Sequence, residues 1–173
     1  MPLSIEAKRE LVDEVSQVAA TALSAVAAEY RGLTVGEMTE LRVEARKADV
    51  YIKVVKNTLA KRAVEGTEFE CLQPSLSGPL ILAFSREDPG AAARVIKGFA
   101  KDHENLKTVA LALGGSLYSA ADLDRVAALP TLDEARGALL GTLMAPMSQL
   151  ARTLAEPAAM LARTLSRRGE QAA

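Results

Sequence analysis

An eleven-residue repeat in the last third of the chain places the strongest constraint on its fold. The segments LLGTL, LARTL and LARTL occupy residues 139–143, 150–154 and 161–165, and Pro146 and Pro157 are also eleven residues apart. Eleven residues make three turns at about 3.67 residues per turn, close to a straight α-helix, so side chains at this interval stay on one face. The repeat predicts a long C-terminal helix, which we expect the prolines to bend because each removes a backbone donor.

One face of this predicted helix is apolar along its whole length. Its side chains are Leu139, Leu140, Leu143, Met144, Met147, Leu150, Leu154, Met160, Leu161 and Leu165. The face could pack on the protein's own sheet. The surface of a sheet differs from one helical turn to the next, however, so packing on it gives no reason for the same leucines to recur every eleven residues. Identical partners bound side by side would require such a recurrence, and a helix laid in an apolar groove is a known mode of recognition. We interpret the face as three similar partner-docking units.

The residues before the repeat alternate between strand and helix patterns. Apolar or β-branched runs predict four strands at 24–30, 50–56, 79–85 and 106–115. Between them lie helical segments with start signals, among them a capping box formed by Thr34 and Glu37 and a predicted cap at Asn57. The fold class predicted is α/β of the α+β type, a four-stranded sheet packed with helices over residues 1–130. The docking segment then follows at 131–173.

The net charge of −1 conceals a basic segment. Residues 42–62 carry seven lysines and arginines against two carboxylates. Salt screens charges beyond about 8–10 Å, so a binding site responds to this local excess. Lys53 and Lys56 come just before a predicted helix N-terminus, where free N–H groups favour phosphate, and Arg31-Gly32 falls at a strand end. This pattern predicts a surface for the phosphates and shape of folded RNA; an ordinary solvated face is the alternative.

Other function classes find little support in the sequence. A single cysteine, Cys71, and a single histidine, His103, exclude a disulfide framework and a metal-ligand set. Gly114-Gly115 lacks the spacing of a phosphate-binding loop, and no GxxxxGK motif is present. No apolar run approaches a signal peptide or membrane span, so we expect a cytoplasmic protein without cofactor, metal or small-molecule substrate. A small α/β enzyme with an unrecognised catalytic site is one hypothesis that the sequence leaves open.

Several segments resemble the family of bacterial large-subunit ribosomal protein L10, the stalk-base family whose archaeal and eukaryotic relatives are called P0. They are YRGLTVGEMTELR at 30–42, VYIKVVKNTLAKRAVEGTEFECL at 50–72, Gly-Pro at 78–79 and PGAAARVIKGFAK at 89–101. The resemblance spans residues 1 to about 135, and the tail resembles the family only in being a helical extension.

The resemblance implies a non-catalytic protein at the base of the ribosomal stalk, in the cytoplasm. Its first domain would bind large-subunit ribosomal RNA beside protein L11, and its C-terminal helix would carry dimers of the acidic stalk protein L7/L12, which recruit translational GTPases. The residues matched as RNA-facing are Arg31, Gly32, Arg42, Lys53, Lys56, Asn57, Thr58 and Arg62. With the repeat, we expect three dimers. The alternative is an RNA-binding translational regulator, such as an autogenous repressor, with a self-associating helical tail.

Overall fold

The computed structural model describes residues 4–103 and 105–172 and divides the chain into two compact parts, Met1–Thr131 and Leu132–Ala173. The first part is a five-stranded antiparallel sheet with helices on both faces, and the second is one long helix. The predicted α+β class with a long C-terminal helix is therefore confirmed, although the sheet has one strand more than predicted. Residues 1–3, 104 and 173 of the predicted domains lie outside the described residues.

The elements of the first part follow the predicted alternation closely. In chain order they are α1 (Ile5–Thr21), β1 (Ser24–Glu29), α2 (Val35–Lys47), β2 (Val50–Val54), α3 (Asn57–Val64), β3 (Leu80–Ser85), α4 (Ala91–Asp102), β4 (Lys107–Leu113), β5 (Ser116–Ser119) and α5 (Leu123–Ala127). The strand order is β2-β3-β1-β4-β5, and neighbouring strands are antiparallel. Strand β1 therefore lies at the centre, and β2 and β5 form the edges.

The central strand β1 is buried on both faces of the sheet. Ala25 and Ala27 lie in the core formed with α1 and α3, whereas Val26 and Ala28 lie in the core formed with α2, α4 and α5. Because successive side chains of a strand point to opposite faces, both sets must be apolar. This double burial explains why β1 reads as a continuous apolar run.

The fifth strand was missed because of a glycine pair. Gly114 and Gly115 both have positive φ, 53° and 78°, and they connect β4 to β5. A two-residue hairpin turn with positive φ at both positions favours this dipeptide. The prediction placed Gly114-Gly115 at the end of the fourth strand, 106–115, and rejected the pair as a phosphate-binding loop, so Ser116–Ser119 was missed as a strand.

The second part is a single helix, α6 (Leu132–Ala172), with Pro146 and Pro157 inside it. Its 41 residues correspond to a length of about 60 Å. Each proline removes the N–H that would bond four residues back, so the carbonyls of Thr142 and Thr153 lose their usual donor. Among the described residues, no helix is both long and apolar enough to cross a membrane.

The hairpin provides a first test of this fold. We expect Gly115→Ala to lower the free energy of unfolding by about 1–2 kcal/mol, because a side chain at this left-handed φ of 78° is strained. Chemical denaturation would measure the change. Gly98→Ala is the matched control. Gly98 is exposed within α4, and no neighbouring atom lies within 4 Å of an added Cβ. The free energy of unfolding should stay the same or rise, because alanine favours a helix more than glycine does. Equal effects of the two substitutions would argue against the turn assignment.

Candidate functional sites

Four strand ends meet at one end of the sheet, which we call the α3 end because helix α3 begins there. Glu29, the last residue of β1, lies opposite both Leu80 and Lys107, the first residues of β3 and β4. Val54, the last residue of β2, lies opposite Ile81. The antiparallel order therefore brings the loops after β1 and β2 to the same end as those before β3 and β4.

A cleft of about 340 Å³ opens at the α3 end. It is lined by Tyr30, by residues 54–58 and by residues 78–80. Tyr30, which precedes the loop that carries Arg31 and Gly32, and Lys56, just before the start of α3, both line this cleft. Lys56 lines the cleft and is exposed, so its cation is accessible to a ligand here, and Arg31 is exposed one residue beyond Tyr30.

The N-terminus of α3 has free backbone donors. Its first hydrogen bonds run from the N–H groups of Leu59 and Ala60 to the Lys56 carbonyl, at 2.8 and 2.9 Å. The N–H groups of Asn57 and Thr58 precede these bonds and have no acceptor within the helix. Lys56 occupies the cap position and makes no side-chain cap. Such a terminus favours an anion through its N–H groups and the helix dipole.

The contrast with α2 shows why the two helix starts differ chemically. Thr34 Oγ1 accepts a hydrogen bond from the Glu37 N–H at 3.4 Å, and Glu37 Oε2 accepts one from the Thr34 N–H at 2.7 Å. The predicted capping box is therefore confirmed. The backbone hydrogen bond from Thr34 lowers the pKa of Glu37, so a carboxylate already occupies this terminus. A phosphate would be repelled at α2 and attracted at α3.

Asn57 has a different role from the one predicted. It is the first residue of α3 and not its cap, and its side-chain Nδ2 donates to the Gly78 carbonyl at 2.9 Å. This bond ties the start of α3 to the loop before β3. The strand pattern of VYIKVVK hid the boundary, because β2 ends at Val54 and the next two residues already belong to the turn.

Some residues of the site were not singled out as site residues from the sequence. Asn105 Nδ2 donates to the Gly32 carbonyl at 3.2 Å and so holds the turn in which Gly32 has φ 92°. Tyr30, Gly78 and Pro79 line the cleft. The Gly-Pro pair before a predicted strand was the available signal for the loop, whereas the contact of Asn105 links residues 73 apart and has no local signal.

Lys53 lies on the α1 face of the sheet, where it is held by a carboxylate. Its ammonium forms an ion pair with Glu14, which also accepts a hydrogen bond from the Tyr51 hydroxyl at 2.5 Å. Burial acts to lower the pKa of Lys53, but the bonds to Glu14 and Tyr51 outweigh it and raise that pKa. The hydrogen bond from Lys53 is the main cause that lowers the pKa of Glu14. Lys53 therefore anchors α1 and is less available than Lys56.

The structure distributes the basic segment 42–62 over both faces of the sheet. Helix α2, which carries Arg42, packs through Leu41 and Ala45 into the core that it shares with α4 and α5. Helix α3, which carries Arg62, packs through Ala60 into the opposite core. The two arginines are exposed, but sheet and core separate their helices. The structure thus places Tyr30, the neighbour of Arg31 in the chain, on the cleft that residues 56–58 line, and it leaves Arg42 apart from them.

Helix α6 presents all ten predicted docking side chains to solvent, each 59–75% exposed. The repeat also appears in the hydrogen bonds. The Oγ1 atoms of the threonines at 142, 153 and 164 each donate to the carbonyl three residues earlier, at 2.8 Å. Exposed apolar surface of this extent is typical of an interaction site. The side chains and the backbone contacts thus repeat with the same period of eleven residues.

Comparison with known proteins gives two family matches. Residues 4–101 match the family described as ribosomal protein L10, and residues 129–173 match the one described as ribosomal protein uL10 C-terminal region. Similar relatives carry the name large ribosomal subunit protein uL10. The protein of Alcanivorax borkumensis is 64% identical over 135 residues, 78% of this chain and 77% of the relative. That of Alkalilimnicola ehrlichii is 61% identical over 139 residues, 80% and 79% of the two chains.

The Glu14 cluster makes a pH-dependent prediction. The folded pKa of Glu14 is lowered, so its contribution to stability is complete above the unfolded value of about 4.3 and is lost as pH falls through the folded value. At neutral pH we expect Glu14→Gln to lower the free energy of unfolding by less than about 1 kcal/mol, because the carboxylate is 48% exposed.

Urea denaturation of both proteins at pH 7 and near pH 3 would measure the difference, which should become smaller at the acidic end. Glu10→Gln, an exposed position one turn earlier on α1, is the matched control and should change little at either pH. A deficit for Glu14→Gln that is equally large at both pH values would contradict the ion-pair explanation.

Proposed function

Because the chain belongs to the ribosomal protein L10 family, we propose that it forms the base of the large-subunit stalk, with ribosomal RNA at the α3 end and L7/L12 dimers on α6. Family membership confirms the predicted resemblance. It also confirms that the chain is a structural protein of the ribosome, a cytoplasmic particle, and not an enzyme. The RNA surface, the stalk partner and the neighbouring protein L11 are parts of the proposal.

The observation that supports RNA binding is the uncapped N-terminus of α3. Lys56, Asn57 and Thr58 line one cleft, and the exposed Arg31 follows Tyr30, which also lines it. A phosphate group needs such backbone donors and positive charge. Gly32 lets the backbone of the adjacent loop approach the ligand without a side chain in between. We place Arg31, Gly32 and residues 56–58 at the centre of the proposed surface.

The remaining predicted RNA residues would act around this centre. Lys53 could reach RNA only by leaving or sharing Glu14, so we expect a smaller contribution from it. Arg62 is exposed further along α3, and Arg42 lies on α2. Arg42 would contact RNA only if the RNA extended around the sheet. Backbone and shape recognition suits this surface, because Tyr30 is its one aromatic residue among those that line the cleft.

The observation that supports stalk docking is the exposed apolar face of α6 and its period. Each repeat unit is about 16 Å long, so neighbouring units can present similar surfaces to similar partners. The prolines interrupt the hydrogen-bond ladder between the leucine segments 139–143, 150–154 and 161–165 without ending the helix. We propose that each unit binds one L7/L12 dimer. Three dimers on one chain would tether the mobile proteins that recruit translational GTPases.

The RNA surface predicts a specific response to Lys56→Ala. Binding to a fragment of large-subunit ribosomal RNA should weaken, and the slope of log affinity against log salt should decrease by about one, because one phosphate contact is lost. Filter binding over a salt series would measure both. Lys53→Ala should have a smaller effect. Arg86→Ala is the control, since this exposed cation follows β3 at the opposite end of the sheet. An unchanged slope for Lys56→Ala would place the RNA elsewhere.

The docking proposal predicts a change in stoichiometry on truncation. Removal of all residues after Met160 deletes the third repeat unit, so the complex with L7/L12 should fall from three dimers to two. Native mass spectrometry would count them. Three dimers on the truncated chain would show that the units are not separate binding positions. If the full chain binds no L7/L12 and instead forms its own dimers, the self-associating regulator becomes the better explanation.

A further inference from the structure

The three repeat units are alike in their leucines and threonines but differ in the rest of their chemistry. Unit 1 spans 139–149, unit 2 spans 150–160 and unit 3 spans 161–171. Their large apolar side chains number five, three and two. Unit 1 has no charged residue, unit 2 has one arginine and one glutamate, and unit 3 has three arginines against one glutamate, a net charge of +2. From unit 1 to unit 3 the number of large apolar side chains therefore decreases, while the positive charge increases.

Arg168 occupies a position where the other units have proline. It follows Pro157 by eleven residues, as Pro157 follows Pro146. Because residues eleven apart lie on the same face of a helix, the cation of Arg168 lies on the side where units 1 and 2 have the apolar ring of a proline. Unit 3 therefore has a positive charge in its docking face.

Two of the arginines in unit 3 are available for a partner. Arg163 donates to Glu156 of unit 2 at 3.2 Å and is thereby already paired. Among the residues that the structure describes, no carboxylate pairs with Arg167 or Arg168, and both are exposed. A partner that brings carboxylates to unit 3 would pair with cations that lack a partner within the chain.

We propose that the units hold their partners by different forces, so that the acidic dimer on unit 3 is bound through charge and exchanges with salt, whereas the dimer on unit 1 does not. This inference rests on the proposed docking function. Apolar burial is not screened by salt, and high salt can strengthen it. Exposed ion pairs weaken as the screening length falls. The third dimer is therefore the one that ionic conditions release.

The experiment counts L7/L12 dimers on the full chain by light scattering at about 0.1 M and about 1 M salt, where charges are screened beyond about 10 Å and 3 Å. We expect three dimers at low salt and two at high salt, with the third weakened about tenfold. The chain truncated after Met160 should bind two dimers under both conditions. Three dimers at both salts, or a salt-dependent loss from the truncated chain, would overturn the inference.

A double substitution separates charge from helix structure. Arg167→Gln with Arg168→Gln removes both cations and keeps two good helix formers, so α6 should remain folded. The third dimer should then bind weakly at low salt as well, and the salt dependence should disappear. Arg136→Gln, before the repeat, is the control and should retain the wild-type response. If the full chain binds no dimer at either salt, the docking function itself fails; if the double variant behaves as wild type, only the charge mechanism fails.

Discussion

The double burial of β1 is the constraint on which the rest of the α/β part depends. Its alternating side chains enter two separate cores, so the sheet needs helices on both faces. The chain satisfies this need by crossing from one face to the other, with α1 and α3 on one side and α2, α4 and α5 on the other. The same constraint separates Arg42 from Arg62, because the sheet lies between their helices. At the strand ends, by contrast, Lys56 lines the same cleft as Tyr30, the residue that precedes Arg31 in the chain.

Local patterns predicted most elements of this part, and non-local contacts account for what they missed. The Thr34–Glu37 capping box was predictable because its hydrogen bonds span three residues. The Gly114-Gly115 turn was also local, and a hairpin reading of it would have revealed β5. Strand order and the bond from Asn105 to Gly32 depend on contacts between segments that are far apart in the chain. Local patterns in a single sequence do not reveal these contacts. The basic segment 42–62 was predicted to form one patch because its charges are close together along the chain, whereas its helices α2 and α3 lie on opposite faces of the sheet.

Helix α6 was predicted more completely, and the reason is physical. An α-helix makes its hydrogen bonds within the segment, so a periodic sequence specifies both the element and its exposed face without tertiary information. The threonine bonds to Leu139, Leu150 and Leu161 show how fully the structure keeps the sequence period. The prolines were expected to bend the helix without ending it, and both lie within one continuous helix. What periodicity left open was the difference between units, which depends on the residues that do not repeat.

The two proposed surfaces therefore differ in how function is distributed over residues. The α3 end depends on backbone N–H groups and on loops that several strands hold in place, so a change in the sheet alters every contact at once. Repeat units on α6 depend on side chains of a single helix, and one unit can change while its neighbours keep their function. Unit 3 shows this freedom, because Arg168 replaces proline there and the leucines persist. A helix built from similar repeat units can thus carry binding positions that differ in affinity. A site formed by several loops at the end of a sheet cannot be varied in this way.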